Sequence, residues 1–130
     1  MDTLEQFQAE ARQHYAVAAL WSSTDNADES GGEPLDSNYS IDDIDAATLA
    51  AMYAECDTFI AVQWSTIQET GQTAEQCGHD FWLTRNGHGV GFWDRGYDVA
   101  LGDALTKAAH ACGDRDLYVG DDGRIYQCRA

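Results

Sequence analysis

The sequence predicts an α+β domain with the element order α-α-ββ-α-ββ, in which helices cover one face of a four-stranded, mainly antiparallel sheet. In three long segments, apolar residues recur at three- and four-residue steps, which indicates helices with one buried face. In two other segments, residues of high β-propensity flank glycine-containing turns, which indicates hairpins. The 130 residues fit one domain, with an acidic helical half (1–70) and a ββαββ half (71–130).

The first helix is predicted over residues 4–20. Thr3 can cap its N-terminus, and Gln6 completes a capping box in which each side chain bonds the backbone of the other residue. Residues 22–39 are polar and contain two Gly and the only Pro, so we expect a solvated loop there.

The second helix is predicted to start after Ser40, its N-cap, and to stop at Gly71. Asp43 takes the third helical position, where the positive end of the helix dipole favours a carboxylate. A helix of this span would be roughly 40 Å long, which allows a bend near its end. A short turn over residues 73–77 is expected to end at Gly78.

Residues 79–96, HDFWLTRNGHGVGFWDRG, are rich in aromatic residues and glycine. Phe81 and Leu83 alternate with Trp82 and Thr84 before the turn signal 85–87, and apolar residues return after it, so a hairpin is predicted. Trp82 and Trp93 are expected to pair across this hairpin. The carboxylates expected to pair with Arg85 and Arg95 are those of Asp80, Asp94 and Asp98.

Four side chains of this segment could instead form a metal or acid–base site: His79, Asp80, His88 and Asp94, with Cys77 nearby. In a hairpin, however, His79 lies near the open end and His88 in the turn, about 20 Å apart by strand rise. We therefore favour a structural role for the segment. A small metal-dependent enzyme or metal-binding protein centred on it is the alternative.

A third helix is predicted over residues 97–112 and is expected to end at Gly113. Two short segments, 116–119 and 124–127, flank the turn sequence GDDG and predict a second hairpin. Together with the first hairpin, these strands would form the four-stranded sheet.

No segment has the residue pattern of a catalytic or cofactor site. The glycines of the predicted first hairpin resemble a phosphate-binding loop, but no helix start with a Lys follows them. Residues 26–31 imitate the start of an EF-hand loop, but Ser37 stands where a bidentate carboxylate is needed. The sequence therefore predicts no catalytic residue, no metal ligand and no cofactor. The cysteines, expected to be reduced and mostly buried, are Cys56, Cys77, Cys112 and Cys128.

The net charge of −16 is distributed unevenly along the chain. Through residue 69 there are fourteen acidic residues and one basic residue, a net of −13. From residue 70 onward there are nine and six, a net of −3. Such a charge repels nucleic acid and anionic membranes and attracts basic surfaces. A halophile-adapted structural protein is an alternative, because the sequence has one Lys and sixteen Asp. Halophilic adaptation, however, should spread the charge over both halves of the chain.

The densest acidic stretch holds eight carboxylates in twenty-one residues without a cation. Duplex DNA carries one negative charge per roughly 1.7 Å of its axis, so this density suits a basic DNA-binding groove. The hypothesis is that the stretch binds a basic protein, rather than binding nucleic acid or a membrane. An ordinary solvated surface is the alternative. The predicted partner-binding residues are Asp25, Asp28, Glu29, Glu33, Asp36, Asp42, Asp43 and Asp45.

The stretch DFWLTRNGHGVGFWDRG, together with DLYVGDDGRIY, resembles a block found in small proteins encoded by bacteriophages. The resemblance covers about the last 50 residues, and it implies a phage origin and the cytoplasm of an infected bacterium, but no chemistry. Phage proteins of this size and charge resemble DNA-mimic inhibitors of the anti-CRISPR and anti-restriction types. The expected function is therefore inhibition of a host defence complex through its DNA-binding surface.

Overall fold

The computed structural model describes residues 3–25, 33–87 and 91–129. In these ranges the chain is mainly helical, and its strands form two separate two-stranded antiparallel sheets. The predicted four-stranded sheet and the order α-α-ββ-α-ββ are therefore wrong. The elements are α1 (Leu4–Ser22), β1 (Thr24–Asp25), β2 (Glu33–Pro34), α2 (Ala46–Val62), α3 (Trp64–Thr70), α4 (Ala74–Arg85), α5 (Val99–Ala111), β3 (Arg115–Val119) and β4 (Ile125–Arg129).

The predicted start of the first helix is confirmed. The Thr3 hydroxyl accepts a hydrogen bond from the Gln6 backbone N–H (3.2 Å), and the Gln6 side chain accepts one from the Thr3 N–H (3.0 Å). Both bonds satisfy N–H groups that a helix start leaves without partners. In the predicted loop of residues 22–39, the short β1–β2 ladder and a 3₁₀ turn at Leu35–Ser37 form.

The second helix begins later than predicted. Ser40 and Asp43 do form a capping box, but it closes a 3₁₀ turn, Ile41–Asp43. The α-helix starts at Ala46, and its N-cap is Asp45, whose carboxylate accepts a hydrogen bond from the Thr48 N–H (3.0 Å). The sequence pattern predicts one helix start here, but the structure has two successive caps, at Ser40 for the 3₁₀ turn and at Asp45 for α2.

The end of the second helical segment agrees better with the prediction. The predicted long helix is interrupted at Gln63, which separates α2 from α3. This interruption lies near the end of the predicted helix, where its length allowed a bend. Gly71 then ends α3 with a φ of 70°, a left-handed conformation that favours glycine.

The predicted hairpin over residues 79–96 is wrong, and so is the turn over residues 73–77. Both predicted elements contribute to α4, which begins after the N-cap Thr73 and ends at Arg85. A 3₁₀ turn, Phe92–Asp94, follows instead of a returning strand. Because α4 is buried on nearly all sides, its buried residues do not recur at three- and four-residue steps. The sequence of this helix therefore resembles that of a strand.

Trp82 and Trp93 do not pair across strands. Trp82 lies on α4 with 1% of its surface exposed, and its indole N–H donates to the Ser22 hydroxyl (2.8 Å). Trp93 is 44% exposed on the 3₁₀ turn. The two rings therefore have different surroundings, and of the two only Trp82 belongs to the core.

The third helix and the second hairpin are confirmed. Asp98 caps α5, and Gly113 follows the helix end with a φ of 79°. Strands β3 and β4 pair antiparallel, but theirs is a sheet of two strands. A parallel bridge between Ile44 and Ile125 joins this hairpin to the segment before α2, and the Asp45 N–H donates to the Ile125 carbonyl (2.9 Å).

The contact between α1 and α4 brings the two backbones close together at Gly78. A Cβ atom added at Gly78 would overlap the carbonyl oxygen of Ala11. Ala11 is itself fully buried, in a run of α1 whose core positions are mostly alanine. Small residues on both helices therefore set how closely α4 packs against α1, and this spacing fixes the positions of the side chains that α4 carries.

Gly78→Ala tests this contact. Alanine in a helix interior is usually more favourable than glycine by about 1 kcal/mol, but here the overlap with α1 should reverse the sign and lower stability. Gly102→Ala on α5 is the matched control, since its Cβ would lie 3.6 Å from the nearest atom, the Phe92 carbonyl oxygen. Urea unfolding followed by circular dichroism should show a loss for Gly78→Ala and none for Gly102→Ala; equal gains would contradict the close contact.

Candidate functional site

Most of the chain's few cations are paired with carboxylates. The sequence has seven Lys and Arg residues, and four of its arginines form ion pairs in the described ranges. Lys107 and Arg124 are exposed. Ion pairing thus neutralises most of the cations, although of the paired arginines only Arg85 is withdrawn from solvent. The pairs are Arg12–Asp57 (3.4 Å), Arg85–Glu55 (3.0 Å), Arg115–Glu55 (3.2 Å) and Arg95–Asp80 (2.7 Å).

Arg85 is the most deeply buried of these arginines, with 1% of its side chain exposed. Its guanidinium donates to the Tyr15 hydroxyl (2.9 Å) on α1 and to Glu55 (3.0 Å) on α2. It also donates to the carbonyl oxygens of Cys112 (2.9 Å) and Gly113 (2.8 Å), just past the end of α5. Burial alone lowers the pKa of Arg85, but the neighbouring Tyr15 and Glu55 outweigh it and raise that pKa. One cation on α4 therefore joins three other helices.

A second ion pair joins a buried carboxylate on the same helix to Arg95, which follows the 3₁₀ turn Phe92–Asp94. Asp80 is fully buried, and Arg95 donates to it from Nε (2.9 Å) and from Nη2 (2.7 Å). His79 Nδ1 lies 3.1 Å from the same carboxylate, and its ring stacks on Trp21 with centroids 5.5 Å apart. The predicted pairing of Arg95 with Asp80 is confirmed. The prediction for Arg85 is wrong, because a carboxylate thirty residues away takes its place.

The alternative metal or acid–base set is brought together only in part. His79 and Asp80 adjoin on α4, Asp94 is exposed on the 3₁₀ turn, and His88 lies outside the described residues. Within the described ranges, no group of three or more His, Cys, Asp or Glu side chains could hold a metal ion. Burial raises the pKa of the Cys77 thiol, which disfavours the thiolate that binds metals.

The first half of the predicted partner-binding stretch is described only through its backbone. Asp28 and Glu29 lie outside the described residues. Asp25 and Glu33 are register partners in the β1–β2 ladder, and the structure describes no more than their backbone. The ladder therefore places the backbones of Asp25 and Glu33 side by side.

The second half of the stretch is described with its side chains. Asp36 and Asp42 are exposed on successive 3₁₀ turns. Asp43 and Asp45 are half-buried, because the Asp43 carboxylate accepts from the Ser40 N–H (2.8 Å) and the Asp45 carboxylate caps α2. Capping therefore fixes the orientation of two of these four carboxylates, and the other two face solvent.

The structure adds two carboxylates that the sequence analysis did not select. Asp121 and Asp122 are exposed in the turn between β3 and β4, and the bridge between Ile44 and Ile125 joins the strand that follows this turn to the Asp42–Asp45 segment. The Tyr126 hydroxyl donates to Asp122, and this bond raises the pKa of Tyr126 to about 12 and lowers that of Asp122. We refer to Asp36, Asp42, Asp43, Asp45, Asp121 and Asp122 together as the acidic surface.

None of the helices in the described ranges has the length and apolar character needed to span a lipid bilayer. Comparison with known proteins gave no match: no family model, curated protein or solved structure is similar to this chain. An inference about function therefore rests on the acidic surface and the ion pairs.

Arg85→Met tests the buried cation. The substitution leaves the Tyr15 hydroxyl and two carbonyl oxygens without this donor, and leaving a buried polar group unsatisfied costs about 1–3 kcal/mol. Arg124→Met removes an exposed arginine and should change stability by no more than about 0.5 kcal/mol. Urea denaturation measures both; a loss below about 1 kcal/mol for Arg85→Met would contradict the role assigned to it.

Asp122→Asn tests the carboxylate–tyrosine bond in the acidic surface. Because the hydrogen bond to Asp122 holds the proton on Tyr126, its removal should return the Tyr126 pKa from about 12 toward the ordinary value of 10.0. The raised pKa means that the phenol contributes to stability below pH 10 and that this contribution disappears as the pH rises past 12. NMR titration of the Tyr126 ring carbon measures the shift, and Asp121→Asn serves as the control that should leave it unchanged.

Proposed function

We propose that this chain is an inhibitory binding protein whose acidic surface occupies the DNA-binding surface of a basic host protein. In its specific form, the proposal is a phage-encoded DNA mimic of the anti-CRISPR or anti-restriction type, acting in the cytoplasm of an infected bacterium. The partner is a protein or complex that binds nucleic acid, and the inhibitor competes with that nucleic acid for one surface.

The excess of carboxylates without an ion-pair partner over cations without one is the observation that carries the proposal. Ion pairs in the described ranges engage four of the seven cations but only three of the 23 carboxylates. The acidic surface holds six carboxylates, and Arg124, in the same hairpin turn, is its nearest cation in sequence. Solubility alone needs a smaller and more evenly distributed charge.

Part of the acidic surface is already ordered before it meets a partner. Asp43 and Asp45 are held by capping bonds, and Asp122 is held by Tyr126 and by the Arg124 N–H (3.0 Å). Side chains that are fixed in advance lose less conformational entropy on binding. These three carboxylates are therefore oriented before binding, which favours their binding to a basic surface.

Asp36→Lys, Asp42→Lys and Asp121→Lys combined in one variant test the proposal. All three side chains are exposed, and in the described part of the chain none of them caps a helix, so the fold should persist. Proteins captured from a bacterial lysate by the immobilised parent chain at about 50 mM salt are purified and tested for DNA binding. The parent should displace DNA from the captured protein, less so at about 200 mM salt, and the variant should inhibit at least about ten-fold more weakly.

The matched control reverses three other exposed carboxylates: Glu69→Lys, Glu75→Lys and Asp103→Lys, on α3, α4 and α5. It changes the net charge by the same amount, so a purely long-range electrostatic effect would weaken both variants equally. The proposal expects the control to inhibit like the parent. Equal inhibition by both triple variants, or simultaneous binding of DNA and this chain to the partner, would contradict it.

A further inference from the structure

A groove of about 520 Å³ opens between the C-terminal halves of α2 and α5. Small side chains line both of its walls, including Ala54 on α2 and Ala108 and Ala111 on α5. Phe59 lines it as well, and that ring is itself held by stacking on Phe81 with centroids 3.9 Å apart. The groove is therefore a largely apolar cleft, of the size that small-molecule sites in proteins have.

One end of the groove is polar and cationic. Glu55, on the α2 side, accepts from Arg85 Nη1 (3.0 Å) and lies 3.2 Å from Arg115 Nε. Its other oxygen accepts from the Gln127 amide (2.9 Å). Two guanidinium groups thus share one carboxylate, and this end of the groove keeps an excess of one positive charge.

This excess sets the groove apart from two other clefts of the molecule. A cleft of about 480 Å³ beside His79 is lined by one arginine and one glutamate, and a cleft of about 400 Å³ beside Trp64 contains a glutamate and no cation. The chain has a net charge of −16, but a local positive charge can still attract an anion at this end of the groove. At physiological ionic strength, salt screens the charges that lie farther away than about 8 Å.

The two arginines differ in how many of their guanidinium N–H groups already form hydrogen bonds. Arg85 is almost fully buried and has four partners, so its role is structural. Arg115 has 18% of its side chain exposed, and it donates from Nη1 to the Asp114 carbonyl (2.8 Å). In the described part of the chain, no hydrogen bond engages its Nη2, which is a donor suited to an incoming anion.

We propose that this groove binds a small amphipathic anion, with its apolar body between α2 and α5 and its carboxylate, sulfonate or phosphate head at Arg115. The apolar walls supply the burial of the body, and the guanidinium supplies orientation and selectivity for charge. This inference is independent of the proposed function, because the groove and the acidic surface have no residue in common.

Calorimetric titration of the purified chain with four ten-carbon probes tests the ligand class. Decanoate and decanesulfonate share the anionic head, decanol lacks charge, and decyltrimethylammonium reverses it. We expect one site that binds both anions at least about ten-fold more tightly than decanol, equivalent to about 1.4 kcal/mol, and the cation more weakly still. Decanol binding as tightly as decanoate, or no binding of either anion, would overturn the proposal.

Two pairs of variants locate the site. Arg115→Gln should weaken decanoate about ten-fold without changing decanol, whereas Arg124→Gln, at an exposed arginine outside the groove, should change neither. Ala111→Trp fills the groove and should abolish binding, whereas Ala104→Trp, also exposed on α5 but not lining the groove, should leave it intact. If Ala111→Trp binds decanoate like the parent, or if Arg115→Gln and Arg124→Gln weaken it equally, the groove is not the site.

Discussion

The arrangement of the helices depends on one buried guanidinium. Arg85 ends α4 in a place that water scarcely reaches, so its charge requires partners inside the protein. It obtains them from Tyr15 on α1, from Glu55 on α2 and from the carbonyl oxygens that follow α5. The helix dipole places partial negative charge at the end of α5, which suits a cation there. Each of these helices is thereby held in a fixed position relative to α4.

The same cluster connects the core to the groove. Glu55 contacts both Arg85 and Arg115, so one carboxylate links a buried, structural cation to a partly exposed one. Gly78 lies two turns earlier on α4 and also faces α1, where the close approach leaves room for no side chain. Packing at Gly78 and hydrogen bonding at Arg85 thus hold α4 against α1 at two points, although its sequence carries little helical signal.

Local signals in the sequence predicted the parts of the fold that depend on neighbours along the chain. The Thr3 capping box, the glycine stops at Gly71 and Gly113 and the hairpin around GDDG each act within a few residues, and each is confirmed. The helix α4 was misassigned because periodicity reports burial on one face, and a helix buried on nearly all faces shows none. Some of its residues also fit the two-residue period of a strand, which led to the prediction of a hairpin.

The candidate site shows the same limit. Composition located the dense carboxylates between residues 25 and 45, but Asp121 and Asp122 join them only because Ile44 meets Ile125 across eighty residues. Arg85 likewise finds Glu55 thirty residues away. Contacts of this kind follow from tertiary packing, which a single sequence does not encode in its spacing. A charge count therefore predicted the kind of surface and missed part of its extent.

The large excess of carboxylates over cations gives ionic strength an unusual role. In most proteins added salt weakens exposed ion pairs, but here the pair at Arg85 is shielded from solvent, and the exposed charges are mostly of one sign. Like charges on a compact chain repel one another, and salt relieves that repulsion. Salt should thus stabilise the folded chain while it weakens attraction to a basic partner. A bound basic surface would relieve the same self-repulsion, so folding and association favour each other most strongly in dilute salt.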